Sequence, residues 1–175
     1  SNNNLKMDLG TANLDNATTA AQNINLTATE LSHQHGQLIQ SDANGQLNIN
    51  VAQTLNNTSG VISAAGNASI QTADLNNQQA VIQTLAGKDL KITSQKLDNQ
   101  SGKIIAGRDA NLNVQQLNND QGTVYADGKL DVIAAQNISN QKGLIASQDT
   151  LMLTGQGLNN QGGQIQSEQS DVNLS

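Results

Sequence analysis

One short phrase, Leu/Ile-x-Asn-x-x-Gly, recurs along most of the chain, as in LNNTSG at 55, LDNQSG at 97, LNNDQG at 117 and LNNQGG at 158. A further copy stands at 75 (LNNQQA), and the copy at 138 (ISNQKG) is looser. The lead aliphatic residues lie 24, 20, 22, 20, 21 and 20 residues apart: Leu31, Leu55, Leu75, Leu97, Leu117, Ile138 and Leu158. A fixed period near 20 residues is typical of stacked repeats.

Two further positions recur in each unit. Five residues after the lead comes a glycine, or alanine once: Gly36, Gly60, Ala80, Gly102, Gly122, Gly143 and Gly163. Seven residues after the lead comes an aliphatic side chain: Leu38, Ile62, Ile82, Ile104, Val124, Ile145 and Ile165. An alternating aliphatic pair then closes most units, for example Leu90/Ile92 and Leu112/Val114, and an eighth, shorter unit begins at Leu14. The repeats therefore start near residues 14, 31, 55, 75, 97, 117, 138 and 158.

Within a unit the apolar residues alternate with polar ones, as in GKIIAG, NLNV and KLDV. A period of two predicts short strands, and the intervening Gly, Asn and Asp predict turns. A leucine-rich repeat has a similar period but needs Leu-x-x-Leu-x-Leu and a helical stretch, for which these units leave no room. The pattern predicts an all-β parallel β-solenoid with one rung of about 20 residues per repeat and eight to nine rungs in total.

In such a stack, equivalent residues lie above one another. The asparagine two residues after the lead would then form a hydrogen-bonded ladder at a corner, where asparagine also tolerates left-handed backbone angles. Its predicted members, with His33 replacing asparagine in one rung, are Asn16, Asn57, Asn77, Asn99, Asn119, Asn140 and Asn160. The glycine would serve a second corner that needs either a positive φ or close backbone approach. At Ala80 we expect a locally altered turn.

Composition removes several alternatives. Asn and Gln make up 48 of 175 residues, as in a disordered tract, but the regularly spaced aliphatic residues favour a folded chain. Tyr125 is the one aromatic residue, which suits a narrow core. The net charge of −6 and the absence of a basic cluster argue against nucleic acid as a partner. No apolar run approaches the roughly 20 residues that a membrane-spanning helix needs.

The segments LDNQSGKIIA and LNNDQGTVYA, each followed by NLNV or KLDV, carry a family resemblance. Over residues 14–175 the chain resembles the haemagglutination-type repeats of filamentous haemagglutinin and of contact-dependent growth inhibition proteins, which are exported by two-partner secretion. The resemblance implies a right-handed parallel β-helix that forms a rod on the bacterial cell surface. It also implies flanking repeats, an outer-membrane transporter during secretion and a host or target-cell receptor as partners. Because the Asn-Pro and Val-Glu-Asn-Asn motifs of other regions are missing, residues 1–175 resemble a single domain of the central shaft.

The sequence predicts no catalytic, cofactor or metal site. Its acidic residues between the middle and closing strands favour turn formation over catalysis: Asp42, Asp89, Asp109, Asp127, Asp149 and Glu168. His33 and His35 form an H-x-H pair, which would share one side of a strand, but no third ligand is evident nearby.

Outward positions of the middle strand include a candidate partner patch of Ile105, Tyr125 and Leu144. Such residues also occur singly on ordinary exposed sheets. Three functions therefore stay open, in descending order: a noncatalytic shaft segment of an adhesin or toxin-delivery protein, a module whose flank binds a receptor or glycan, and a carbohydrate-active enzyme.

Overall fold

The computed structural model describes residues 3–175, which form two parallel β-sheets. The odd-numbered strands build a nine-stranded sheet: β1 Asn4–Asn13, β3 Asn23–Ser32, β5 Gln46–Asn56, β7 Asn67–Asn76, β9 Leu90–Asp98, β11 Ala110–Asn118, β13 Leu130–Ser139, β15 Leu151–Asn159 and β17 Val172–Leu174. The even-numbered strands, four residues each, build an eight-stranded sheet: β2 Thr18–Ala21, β4 Gln37–Gln40, β6 Val61–Ala64, β8 Val81–Thr84, β10 Lys103–Ala106, β12 Thr123–Ala126, β14 Leu144–Ser147 and β16 Gln164–Ser167.

Each strand pairs in parallel with the equivalent strand of the preceding and following rung. The chain thus winds through one short and one long strand per rung, and the predicted β-solenoid of about 20 residues per turn is confirmed. With about 4.8 Å between rungs, nine rungs make a rod about 40 Å long. Across residues 3–175 there is no helix with the length and apolar character required to cross a membrane.

Identical positions stack into apolar columns that fill the interior. Ile62, Ile82 and Ile104 on the short strands are fully buried, with 0 % exposure. The lead residues form a second column, which starts in the rung that the sequence suggested but with Ala12 in place of Leu14: Ala12, Leu31, Leu55, Leu75, Leu97, Leu117, Ile138 and Leu158. Since every added rung extends these columns without widening them, the core stays narrow however long the rod becomes.

The register of the first unit differs from the prediction. Ala12 rather than Leu14 pairs with Leu31, so Leu14 lies two residues beyond the lead, where later rungs have asparagine. The placement of Asn16 in the ladder is wrong, because Asn16 lies four residues after Ala12, exposed at the surface. The closing pair of one later unit also moves: Leu112 pairs with Ile92, so the pair is Ala110/Leu112 rather than Leu112/Val114. In both places the interior position is occupied by alanine, whose small side chain does not stand out in an aliphatic pattern.

Differences in rung length are confined to two corners. The loop corner joins a short strand to the next long strand; it has six residues between Gln40 and Leu47 but three between Ala106 and Ala110. The bulge corner lies inside the long strand, where β5 and β13 each carry one extra residue and the pairing register shifts. The rest of the rung keeps its length, so irregular spacing in the sequence leaves the stacking intact.

Polar side chains satisfy the backbone of the longer loop corners. Gln40, which is 1 % exposed, donates from Nε2 to the carbonyls of Gln22 (2.5 Å) and Asp42 (2.6 Å), and its Oε1 accepts from the Gly66 amide (2.7 Å). Thr84 similarly donates to the Lys88 carbonyl at 2.9 Å. Rungs with three-residue loops have a small buried residue here, either alanine, as at Ala106, or Ser147, which donates to the Asp149 carbonyl at 2.6 Å.

Candidate functional site

The first candidate feature is a buried column of asparagine side chains that runs along the rod. Each Nδ2 donates to Oδ1 of the next asparagine at 2.7–2.8 Å. The members in order are Asn57, Asn77, Asn99, Asn119, Asn140 and Asn160; the first five are fully buried. All five bonds point in one direction, so the side-chain amides form a single hydrogen-bonded chain across six rungs.

The second N–H of each ladder amide binds backbone. Asn119 Nδ2 also lies 3.0 Å from the Leu144 carbonyl of the next rung and 3.4 Å from the Gly122 carbonyl of its own. Asn99 makes the corresponding contacts to Thr123 (3.1 Å) and Gly102 (3.3 Å). The ladder therefore ties side chains to backbone at every rung, and a buried amide left without partners would cost about 1–3 kcal/mol.

The left-handed backbone at this corner lies four residues after the lead, not at the ladder asparagine as predicted. These residues have φ between 54° and 59°, or 69° for the glycine: Asn16, His35, Ser59, Gln79, Ser101, Gln121, Lys142 and Gly162. Most are neither glycine nor asparagine. Their backbone amides donate to the next rung, as from Ser101 N to the Asp120 carbonyl at 3.0 Å, and these bonds hold the unfavourable angle.

The recurring glycine serves close approach rather than a positive φ. A Cβ at Gly122 or Gly143 would overlap the backbone carbonyl oxygen of the preceding ladder residue and the Oδ1 of its own. The corner at Ala80 nevertheless keeps the same turn, with Gln79 at φ 54° and an Ala80 N–Asn77 O distance of 3.3 Å. The alteration is limited to lengths: the Ala80 N–Asn77 O contact exceeds the 3.0 Å found at Gly102 and Gly122, and Asn57 Nδ2 lies 3.4 Å from the Val81 carbonyl.

His33 begins the ladder. Its Nδ1 lies 2.7 Å from Asn57 Oδ1, and since that oxygen is the acceptor in the ladder direction, Nδ1 carries the proton. The ring is fully buried, Nε2 has no hydrogen-bond partner within residues 3–175, and burial lowers the pKa of His33 below its usual value. His35 is exposed in the adjacent turn, so the two rings do not share a side. Residues 3–175 hold no group of three or more potential His, Cys, Asp or Glu metal ligands.

A second column, which the sequence interpretation missed, lies one residue after the lead. In its Asn and Asp members, Oδ1 accepts from the backbone N–H two residues later, as from Thr58 to Asn56 (3.1 Å) and Asp120 to Asn118 (3.1 Å). Its serine members, Ser32 and Ser139, donate instead to Asp15 and Asp120 of the preceding rung. Asn118 also donates to Asp98 of the preceding rung at 3.0 Å. The doubled Asn-Asn in LNN was the available signal, because its first asparagine caps the turn outside while its second enters the ladder.

The acidic residues of the loop corner are engaged in local structure. Asp89 accepts a bidentate pair from Arg108, with Nε at 2.6 Å and Nη2 at 2.5 Å. This hydrogen bond lowers the pKa of Asp89. Asp109 Oδ1 accepts from the Lys129 backbone amide at 2.9 Å. Asp89, Asp109 and Asp131 line one open groove together with Lys91 and Lys129, but Asp89 is held by Arg108 and Asp109 by a turn amide of the next rung.

The candidate patch lies on the outer face of the short-strand sheet. Ile105 pairs with Tyr125 on adjacent strands, and Leu144 follows one rung later beside Thr123. All three side chains are half-buried, while Ala146, next to Tyr125, is 1 % exposed because neighbouring side chains cover it. Burial, with Glu168 and Asp127 nearby, raises the pKa of Tyr125. Ile105 and Tyr125 are direct cross-strand neighbours, and Leu144 lies diagonally to Tyr125 on the next strand; together we call the three residues the apolar strip.

The stacked rungs with asparagine at one corner agree with a match to a known protein family. The family model of the haemagglutinin repeat matches four overlapping segments that cover the whole chain, residues 1–43, 42–100, 84–142 and 139–175. The chain belongs to the haemagglutinin-repeat family.

The four matched segments are 37 to 59 residues long, so each spans about two to three rungs. Within the chain, each repeat pairs with the neighbouring repeats through parallel strands. No curated protein and no solved structure matches the chain.

Proposed function

We propose that this haemagglutinin-repeat chain is a noncatalytic shaft segment of a secreted, surface-displayed bacterial adhesin or contact-dependent toxin-delivery protein. The observation that carries the proposal is the uninterrupted stacking of nine equivalent rungs, each paired only with its direct neighbours. Such a stack grows in length without a larger core, and that property suits a protein that holds an active end away from a cell.

The surroundings of the acidic residues support the noncatalytic part of the proposal. General acid–base chemistry needs two carboxyl groups close together in a site that a substrate can enter. Here Asp89 is held by Arg108, and Asp109 caps the backbone of Lys129. Incubation with acidic polysaccharides should therefore leave the polymers intact, and reproducible cleavage would overturn the proposal.

Modularity provides a direct test of the shaft role. Residues 97–116 make up one full rung, so their deletion joins Lys96 to Leu117 in register and brings Asn77 next to Asn119 in the ladder. We expect a folded rod shortened by about 4.8 Å. Deletion of residues 97–106 alone removes half a rung and should unfold the flanking rungs. If both deletions disturb the circular dichroism spectrum equally, the rungs are not interchangeable shaft units.

A second candidate function rests on the apolar strip of Ile105, Tyr125 and Leu144, which could contact a host or target-cell receptor or glycan. The pairing of Ile105 with Tyr125 favours it, because adjacent half-buried aliphatic and aromatic side chains form a small anchor for a partner. It would add binding to the shaft rather than replace it.

Pull-down from target cells and a glycan array separate the two functions. Specific binding that is lost on I105D together with Y125A, but retained by I133D on the other sheet, would assign binding to the strip. The control changes another outward-facing isoleucine to aspartate, because Ile133 is 38 % exposed on the long-strand sheet. No specific binding by the native chain would leave the shaft role alone.

A further inference from the structure

The outer side of the long-strand sheet carries a broad face of uncharged polar side chains. Five strands contribute to this face: β3, β5, β7, β9 and β11. In each of them, two side chains in the part of the strand that precedes the bulge corner point outward. We name these ten residues the amide face: Asn25, Thr27, Asn48, Asn50, Ser69, Gln71, Lys91, Thr93, Asn111 and Asn113. Nine of the ten are uncharged although the chain has a net charge of −6.

The amide face forms two straight columns. Asn25, Asn48 and Ser69 lie above one another in the first column, and Asn50 and Gln71 lie together in the second. Neighbouring members repeat at the rung spacing of about 4.8 Å. Asn and Gln amides each offer two donors and an acceptor, so such a face is complementary to another face with the same repeat.

Charged residues mark both ends of the amide face. Lys6 and Asp8 point outward on β1, before the face, and Asp131 on β13, after it. A second copy related by a two-fold axis in the plane of contact places Lys6 opposite Asp131 if the rods run in opposite directions. It places Lys6 opposite Asp8 if they run in the same direction. In both cases opposite charges meet, and the neutral face lets two acidic chains approach with little repulsion.

We propose that the amide face binds the amide face of a second copy of this chain, so that two rods lie side by side. A copy of the chain has the matching rung spacing, and the columns stay aligned from β3 to β11. A polysaccharide is the less favoured occupant, because the ten residues of the face include no aromatic ring, whereas ligand sites are usually lined by aromatic side chains.

The contact area indicates how strong this pairing is. Seven strands from β1 to β13, about 4.8 Å apart, with two outward residues each, bury on the order of 400 Å² per copy. A stable complex buries about 800 Å² per partner. The pairing of this chain is therefore weak, and it strengthens when rods are longer or held close together at one surface.

Cysteine cross-linking tests the contact directly, because the chain contains no cysteine. Gln71 lies on the central strand of the amide face, and Gln95 is another exposed glutamine, at the bulge corner. Under a glutathione redox buffer, Q71C is expected to form disulfide-linked dimers at a yield about tenfold or more above Q95C. Equal yields from the two variants would overturn the proposal.

Charge variants give a second, independent measurement. N50D with N113D adds two negative charges to the amide face, and Q53E with Q115E adds two to the same strands beyond the face. Sedimentation velocity over a concentration series should show self-association that the first pair weakens about tenfold or more and the second leaves unchanged. A native chain that stays monomeric up to about 1 mM, the weak end of specific binding, would refute the pairing.

Lys6 reports the direction of the rods. K6D should weaken self-association, and adding D131K should restore it for rods in opposite directions, whereas adding D8K should restore it for rods in the same direction. Either rescue supports the proposal, and failure of both overturns it. Glycan binding that N50D with N113D abolishes, without self-association, would assign the face to a glycan instead and would also overturn it.

Discussion

Removal of one ladder amide is expected to destabilise the rod far more than removal of its neighbour. The substitution N119A deletes the 2.7 Å bonds that join Asn119 to Asn99 and to Asn140, and the 3.0 Å bond to the Leu144 carbonyl. Asn140 Oδ1 then has no donor, and Asn99 Nδ2 loses one acceptor, in a column that is fully buried. At about 1–3 kcal/mol for each buried group left unsatisfied, we expect the free energy of unfolding to fall by about 2–6 kcal/mol.

The matched control is N118A, one residue earlier in the same turn. Asn118 is half-buried, and its two side-chain bonds, to Asp98 at 3.0 Å and from the Asp120 amide at 3.1 Å, lie where water can replace them. Its loss should cost about 1 kcal/mol.

Urea unfolding measures the difference between the two variants. Circular dichroism reports the whole rod, while fluorescence of Tyr125, the one aromatic residue, reports the rung that contains Asn119. Coincident transitions would justify a two-state treatment. If N119A and N118A shift the midpoint equally, the buried ladder contributes no more than an ordinary surface turn, and the reasoning fails.

Three further predictions concern other polar positions. Burial lowers the pKa of His33, so the unfolded chain binds a proton more readily, and the free energy of unfolding should fall as pH drops below 6.5. Urea midpoints at about pH 7 and about pH 5 test this; an equal pH dependence in H33N would contradict it. Q40A leaves the Gly66 amide without its side-chain acceptor and should cost about 1–3 kcal/mol in thermal unfolding; a change near zero would show that water replaces the amide. R108A breaks the exposed pair with Asp89, so we expect a small loss of stability that disappears in high salt; a large loss that persists in salt would contradict this.

The fold could be predicted because every rung carries the same sequence motif. One Leu-x-Asn-x-x-Gly is weak evidence, but successive copies at nearly constant spacing require equivalent positions to share one environment. The same redundancy predicted the ladder from Asn57 onward. It failed at the first rung, where Ala12 leads and Leu14 takes the asparagine position, because neither residue displays the pattern.

The candidate sites were harder to predict because they depend on which way single side chains point. The roles within LNN followed only once the turn was known: the first asparagine faces outward and the second enters the core. His33 and His35 looked like a pair on one strand, but the turn buries one ring and exposes the other.

The period of the chain and its apolar alternation were sufficient to establish a narrow parallel stack, because hydrophobic burial acts alike on every repeat. The folded arrangement was needed to locate the left-handed residues, the glycine contacts and the amide face. These features arise between rungs about 20 residues apart, where a neighbouring carbonyl excludes a Cβ or holds a turn amide. The sequence pattern identifies which residues occupy equivalent positions, but the distances between their atoms are set only when the rungs stack.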